Sequence, residues 1–198
     1  MEDVQPVDID IIIRGEQVGL GPIRGDLVTT YQRWMNDLQV TRTLGAPSRP
    51  MTVERERQWA DIALVSTDPM FTIYTLEEMR PIGNTSLFDF DTDNASCYFG
   101  ILIGERDAWG KGYGTETTRL MLAYAFDVLG LQNVALTAHA DNHGGIRAYE
   151  RAGFRKIGVR RNAIRVGRHR IDEILMDATP DDIEPSFLDR IMHPGDRA

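Results

Sequence analysis

Cysteine is almost missing. Cys97 is the only one in 198 residues, which excludes an intrachain disulfide and any cysteine-based metal site. A lone cysteine in a strand reads as a small core hydrophobe rather than a nucleophile. The four histidines, His139, His143, His169 and His193, lack the spacing of zinc ligands, so no metal is expected. Apolar runs long enough to span a bilayer are lacking, as are the basic start and apolar centre of a secretory signal at Met1-Glu2-Asp3. The expected location is therefore the cytoplasm, with no membrane partner. Positive charge is the minority sign: 22 Lys and Arg against 30 Asp and Glu leave a formal net charge of −8, which argues against a nucleic-acid partner. Basic residues do concentrate between Arg147 and Arg170, a run that reads as a solvated face rather than an RNA-binding patch.

Hydrophobic content of 42% and charged content of 26% are those of an ordinary globular chain. The length suits one domain with short tails. Residues 1–8 read as a loose tail and Ile9–Ile13 as a short strand that pairs with an edge of its own sheet or a partner's, a route to a homodimer. Asp26 is placed to cap a helix with Leu27, Tyr31, Trp34, Met35 and Leu38 on one face. A broken helical region follows, closed by Gly45 and Pro47. Thr52 caps a second helix, with Glu54 and Glu56 in its electropositive first turn and Trp59, Ile62 and Ala63 on the buried side. Strands are expected at Phe71–Leu76, Ile82–Phe90 and Ser96–Ile103, forming an antiparallel meander.

At the end of that meander stands the most informative stretch, Ile101-Leu102-Ile103-Gly104-Glu105-Arg106-Asp107-Ala108-Trp109-Gly110-Lys111-Gly112-Tyr113-Gly114-Thr115-Glu116. An apolar strand enters a loop with three alternating glycines, and the loop opens a helix marked by Leu120, Met121, Tyr124, Ala125 and Val128. Gly110, Gly112 and Gly114 allow a tight turn that exposes backbone N–H groups on one side. The unpaired N–H groups and positive dipole end of the following helix complete an anion site, to which Lys111 adds a charge. A mononucleotide-binding loop would need Lys followed by Ser or Thr after the last glycine, and here Gly114 is followed by Thr115-Glu116. Beyond Gly130, Val134–Ala138 is a strand reached by a helical crossover and so parallel to the one before it. Asn142–Ala152 is a helix closed by Gly153, Phe154–Arg160 and His169–Met176 are strands joined through Gly167, and the polar tail from Pro180 onward is peripheral or disordered.

Three segments resemble one family. Trp109-Gly110-Lys111-Gly112-Tyr113-Gly114-Thr115-Glu116, with the strand before it, resembles the acetyl-CoA pyrophosphate loop of the GNAT superfamily of N-acetyltransferases. Asp141-Asn142-His143-Gly144-Gly145-Ile146-Arg147-Ala148-Tyr149-Glu150-Arg151-Ala152-Gly153-Phe154 is similar to that family's second block, an Asn followed by Tyr-Glu-(Arg/Lys)-x-Gly-Phe. Gly167–Met176 is similar to the last strand of its ribosomal-protein alanine acetyltransferase-like branch. The resemblance covers residues 16–178, leaving 1–15 as an N-terminal extension with a short strand and 179–198 as a polar C-terminal tail.

The implied fold class is α/β (α+β): a central mixed, mostly antiparallel sheet with helices on both faces, splayed beside Ser96–Ile103 where acetyl-CoA enters. The implied activity is direct transfer of an acetyl group from acetyl-CoA, coenzyme A being the co-substrate, to a primary amine, peptide or small molecule. A non-catalytic acyl-CoA-binding or sensor module is the alternative. By this resemblance the backbone of Ile101, Leu102 and Ile103 holds the pantetheine and acetyl carbonyl. The loop from Trp109 and Gly110 through Lys111, Gly112, Tyr113 and Gly114 to Thr115 grips the pyrophosphate. Asn142 contacts the cofactor or caps a helix, and Tyr149 is the catalytic acid, a phenol that stays protonated at neutral pH.

The chain departs from the family pattern at three positions. Trp109 stands where Gln or Arg is usual, Gly145 replaces a small hydroxyl residue or alanine, and Tyr98 stands where many of the branch carry a glutamate base. No carboxylate base is assignable by position; Asp89, Asp91, Glu105, Asp107, Glu173 and His139 are all candidates, as is an ordered water. Substrate choice is expected to reside in residues 26–44 and 52–66 and in the loop 89–94.

Overall fold

The computed structural model describes residues 9–45, 49–184 and 186–194; the expected loose tail 1–8, Pro47 and Pro185 lie outside the described residues. In chain order the strands are β1 (Ile13–Arg14), β2 (Val18–Pro22), β3 (Met70–Thr75), β4 (Pro81–Asp91), β5 (Ser96–Ile103), β6 (Asn133–His139), β7 (Arg155–Val166) and β8 (His169–Ala178). The helices are α1 (Val28–Asn36), α2 (Leu38–Thr41), α3 (Val53–Val65), α4 (Tyr113–Ala123), α5 (His143–Ala152) and α6 (Phe187–Met192). All eight strands form one sheet in the order β1-β2-β3-β4-β5-β6-β8-β7. Every pairing is antiparallel except β5 with β6.

That parallel pair decides the architecture. β5 and β6 are joined only over Ser96–Tyr98 and Asn133–Ala135. Beyond that, β5 continues to Ile103 bonded to β4, and β6 continues to His139 bonded to β8. The sheet therefore opens into a V whose one wall is the unpaired edge of Phe99–Ile103. Its base is filled by aromatic rings: Phe99, on the first residue after the pairing ends, lies 5.8 Å from Phe154 and 6.2 Å from Tyr149.

Strand alternation sorts side chains to the two faces. On one face Cys97, Phe99, Ile101 and Ile103 pack with α4 in the larger core; on the other, Leu102 packs with Tyr31, Trp34 and Ala60 from α1 and α3 in a second core. Burial pushes the Cys97 thiol up to about 12, which leaves it an inert hydrophobe at neutral pH.

Several local expectations need correction. The edge strand is Ile13–Arg14 and pairs with β2 of the same sheet. It is held down by Glu116 of α4, whose carboxylate accepts the Glu16 and Gln17 N–H groups at 2.5 and 3.0 Å. Asp26 does not cap α1; it forms a bidentate pair with Arg24, and a short 3₁₀ turn precedes the helix. Leu38 is 70% exposed because Asp37 breaks the helix and caps α2 instead. Thr52 caps α3, accepting the Arg55 N–H at 3.2 Å. The buried face of that helix, however, carries Glu56 and Ala60, with Ile62 turned to solvent. The tail beyond 178 is folded where described: Thr179 and Asp182 form a capping box, and the Ser186 hydroxyl donates to Asp127 at 2.5 Å. Leu188 joins the main core.

The turn out of β5 leaves no room for a side chain. A Cβ on Gly104 would lie 2.2 Å from the ring of Trp34, itself 1% exposed and tied by its indole N–H to Glu105 at 2.8 Å. Gly104→Ala is expected to destabilise the fold by about 1–3 kcal/mol through overpacking. Urea unfolding would show this as a lowered midpoint with unchanged slope.

Candidate active site

A cleft of ≈ 890 Å³ occupies the V. Its walls are Ile101, Leu102 and Ile103 of β5, Trp109, Gly110 and Gly112 of the loop, and Tyr113, Gly114 and Thr115 of α4. The opposite wall includes Asn142 and Tyr149 of α5, and the segment from Leu38 to Leu44 also borders the cleft. Of the residues expected to bind the cofactor or act as the acid, only Lys111 is not on this wall; it is exposed.

The loop is built as an anion cradle. Gly110 and Gly112 have φ of +74° and +92°, in the left-handed region that glycine tolerates. Gly112 is the N-cap of α4, and the first helical bond runs from the Glu116 N–H to the Gly112 carbonyl at 3.0 Å. The N–H groups of Tyr113, Gly114 and Thr115 come before it and have no carbonyl four residues back within the helix. They sit where the positive end of the dipole meets the cleft. Trp109 has a place of its own here: its indole N–H donates to the Ile103 carbonyl at 2.9 Å and pins the loop to the end of β5.

The opposite wall comes from α5. Asn142 caps it, accepting the Gly145 N–H at 3.0 Å. A Cβ on Gly145 would lie 2.5 Å from the Asn142 amide nitrogen, so the small residue at 145 leaves room for the cap. Tyr149 stacks edge-on against Phe99 and Phe154. Burial pushes its phenol up to about 12, so it is fully protonated at any physiological pH. Two cations of the run expected to form a solvated face, Arg147 and Arg151, are exposed and also line the cleft, one helical turn apart on α5. The i,i+4 spacing was the available signal. Arg42 joins them, paired with Asp141 at 2.5 Å.

The candidate bases do not gather here, because none lines this cleft. Asp89 and Asp91 are exposed at the far end of β4. Glu105 is taken by Arg33 and Trp34; burial works against its charge, but those two donors hold it below the ordinary glutamate range. Asp107 pairs with Arg80, and Glu173 is buried against Arg160 at 2.6 Å. His139 is buried with both ring nitrogens lacking partners, and desolvation lowers its pKa.

The profile of the acetyltransferase (GNAT) domain matches residues 17–155. The chain belongs to the GNAT family. Among sequence relatives of this GNAT domain, the probable N-acetyltransferase YjcK of Bacillus subtilis is 33% identical over 113 residues, 57% of this chain and 62% of that protein. Among solved structures, spermidine N-acetyltransferase from Vibrio cholerae, in complex with CoA and spermine, superposes with a TM-score of 0.76 at 17% identity. That match covers 85% of this chain and 98% of the other. Mycobacterium smegmatis RimJ in complex with CoA-disulfide gives 0.73 at 18%, covering 90% and 89%. This is an N-acetyltransferase domain with acetyl-CoA as its co-substrate, and its fold is that of the branch the sequence resembles. No helix among the described residues is long and apolar enough to cross a membrane.

Proposed function

We propose that the protein transfers the acetyl group of acetyl-CoA directly to a primary amine, a peptide N-terminus or a small molecule, in the cytoplasm, without a covalent acyl-enzyme. The observation that carries this is the coincidence, in one cleft, of an unpaired strand edge, a helix N-terminus and a protonated tyrosine. The free edge of Ile101–Ile103 offers backbone groups to the pantetheine amides and the thioester carbonyl. The α4 N–H groups take the pyrophosphate, and Arg147 and Arg151 supply the positive charge that Lys111, off the cleft wall, does not.

The amine nitrogen attacks the acetyl carbon, the C–N bond forms and the C–S bond breaks. Tyr149 donates its phenolic proton to the departing thiolate and recovers one from the nitrogen, so that amide and free thiol leave with one net proton lost from the ammonium form. The cleft supplies orientation and the tyrosine supplies the proton. Incubation with acetyl-CoA and a panel of primary amines should release free thiol in proportion to N-acetylated product. Tight acetyl-CoA binding with no thiol release on any amine would favour the acyl-CoA sensor instead.

A further inference from the structure

On the α1/α3 side of the sheet lies a second, smaller cavity of ≈ 290 Å³. Its wall is apolar over Ile23, Met35, Met51, Trp59 and Met70; the neutral polar residues Asn84, Thr85 and Ser86 of β4 line it too, and its one carboxyl is that of Glu56. Glu56 is 4% exposed, and no hydrogen bond or ion pair reaches its side chain among the described residues. The cavity wall carries no lysine, arginine or histidine; Tyr31 is the other titratable group on it, with its hydroxyl engaged by Thr72 at 2.6 Å. Leu44, Ile101 and Leu102 line both this cavity and the large cleft, so the two meet at the strand edge assigned to the thioester.

A carboxyl buried without a partner costs stability, and a carboxylate can only accept hydrogen bonds. The group that would satisfy it is a cation with N–H donors. We propose that this cavity is the acceptor site, that Glu56 receives the acceptor's ammonium and takes one of its protons, and that the acceptor class is a primary amine bearing one charge and a compact apolar body. The inference rests on the transferase reading above and names the residue and the substrate class that reading leaves open.

The step balances. The acceptor enters as R–NH3⁺; an Oε of Glu56 gains a proton and the nitrogen gains the free lone pair that forms the C–N bond. Glu56 returns its proton to solvent after the amide leaves. Burial raises the Glu56 carboxyl above the ordinary glutamate range, which brings it closer to the amine it must deprotonate. The rings of Tyr31 and Trp59, 5.7 Å apart, add a π face for the cation. The same wall disfavours a polyamine, because beyond Glu56 its polar groups are the neutral Asn84, Thr85 and Ser86, so a further ammonium would find no counter-charge there.

The test is steady-state thiol release by the full chain on 2-phenylethylamine, a leucine-initiated tetrapeptide and spermidine, each across a pH series, for wild type and Glu56→Gln. Calorimetry measures acetyl-CoA affinity for both proteins. The expected result is turnover of at least one apolar amine with spermidine well behind. Glu56→Gln should lower kcat/KM by about 100-fold or more and remove the acid limb of its pH profile, with acetyl-CoA affinity unchanged. The two apolar probes separate a peptide N-terminus from a free arylalkylamine. Folding is controlled by sign: a carboxyl whose pKa is raised on folding loses stability as pH climbs through that pKa. Glu56→Gln should therefore melt no lower than wild type at pH 7.5, any advantage fading toward pH 4. Preference for spermidine, no turnover of either apolar amine, or an indifferent Glu56→Gln would overturn this proposal while leaving acetyl-CoA binding intact. A wild-type chain that fails to bind acetyl-CoA would overturn the transferase reading and this one with it.

Discussion

Phenylalanine in place of Tyr149 is expected to slow acetyl transfer by about 100- to 10,000-fold, the range in which a positioned proton donor contributes. The substitution keeps the ring, so the edge-on contacts with Phe99 and Phe154 at the base of the V persist and the fold is undisturbed. What is lost is the hydroxyl. Without it the thiolate must leave unprotonated or wait for water. The loss should therefore fall on kcat, with acetyl-CoA affinity near that of wild type. Because burial pushes the Tyr149 phenol up to about 12, wild-type activity should show no falling limb from this group between pH 7 and pH 9. Single-turnover kinetics with saturating acetyl-CoA would check both points. Unchanged turnover in Tyr149→Phe would remove the acid assignment and pass the proton to solvent.

Valine at Gly112 is expected to abolish useful acetyl-CoA binding, weakening it by about 10-fold to 100-fold or more. Gly112 has φ of +92°, and a β-branched residue held there is strained by about 1–3 kcal/mol. The chain escapes that strain by rotating the backbone, which re-aims the N–H groups of Tyr113, Gly114 and Thr115. Crowding is not the cause, since a Cβ at 112 meets only the Gln17 amide at 3.9 Å. The effect therefore arises from conformation and is confined to the cradle. Calorimetry should show weakened acetyl-CoA binding in a protein that still unfolds cooperatively. Normal affinity would sink the assignment of this loop to the pyrophosphate.

Features that rest on neighbours in sequence were legible. β5 begins at Ser96 and ends at Ile103 as alternation and the flanking turn require. Asn142 caps α5, and Gly110, Gly112 and Gly153 occupy positive φ where a turn or helix end demands it. Misreadings occurred where two local options competed. Asp26 had a helix to cap and an arginine two residues away, and the bidentate pair with Arg24 won. In the first turn of α3, Glu54 and Glu56 look alike in the sequence as acids facing a helix dipole. One is exposed and the other lines a cavity and is 4% exposed.

The sequence by itself determined the glycine loop and the strand–loop–helix unit that carries it, and singled out Tyr149, because each depends on a few neighbouring residues. Only the tertiary structure decided where β5 and β6 part. It also turned Arg147 and Arg151 toward the cleft and left the Glu56 carboxyl with no partner in a cavity that Ile101 and Leu102 of β5 also line. Those outcomes depend on which surfaces meet across the sheet, and a residue's burial is set by the partners that long-range packing brings to it rather than by its own side chain.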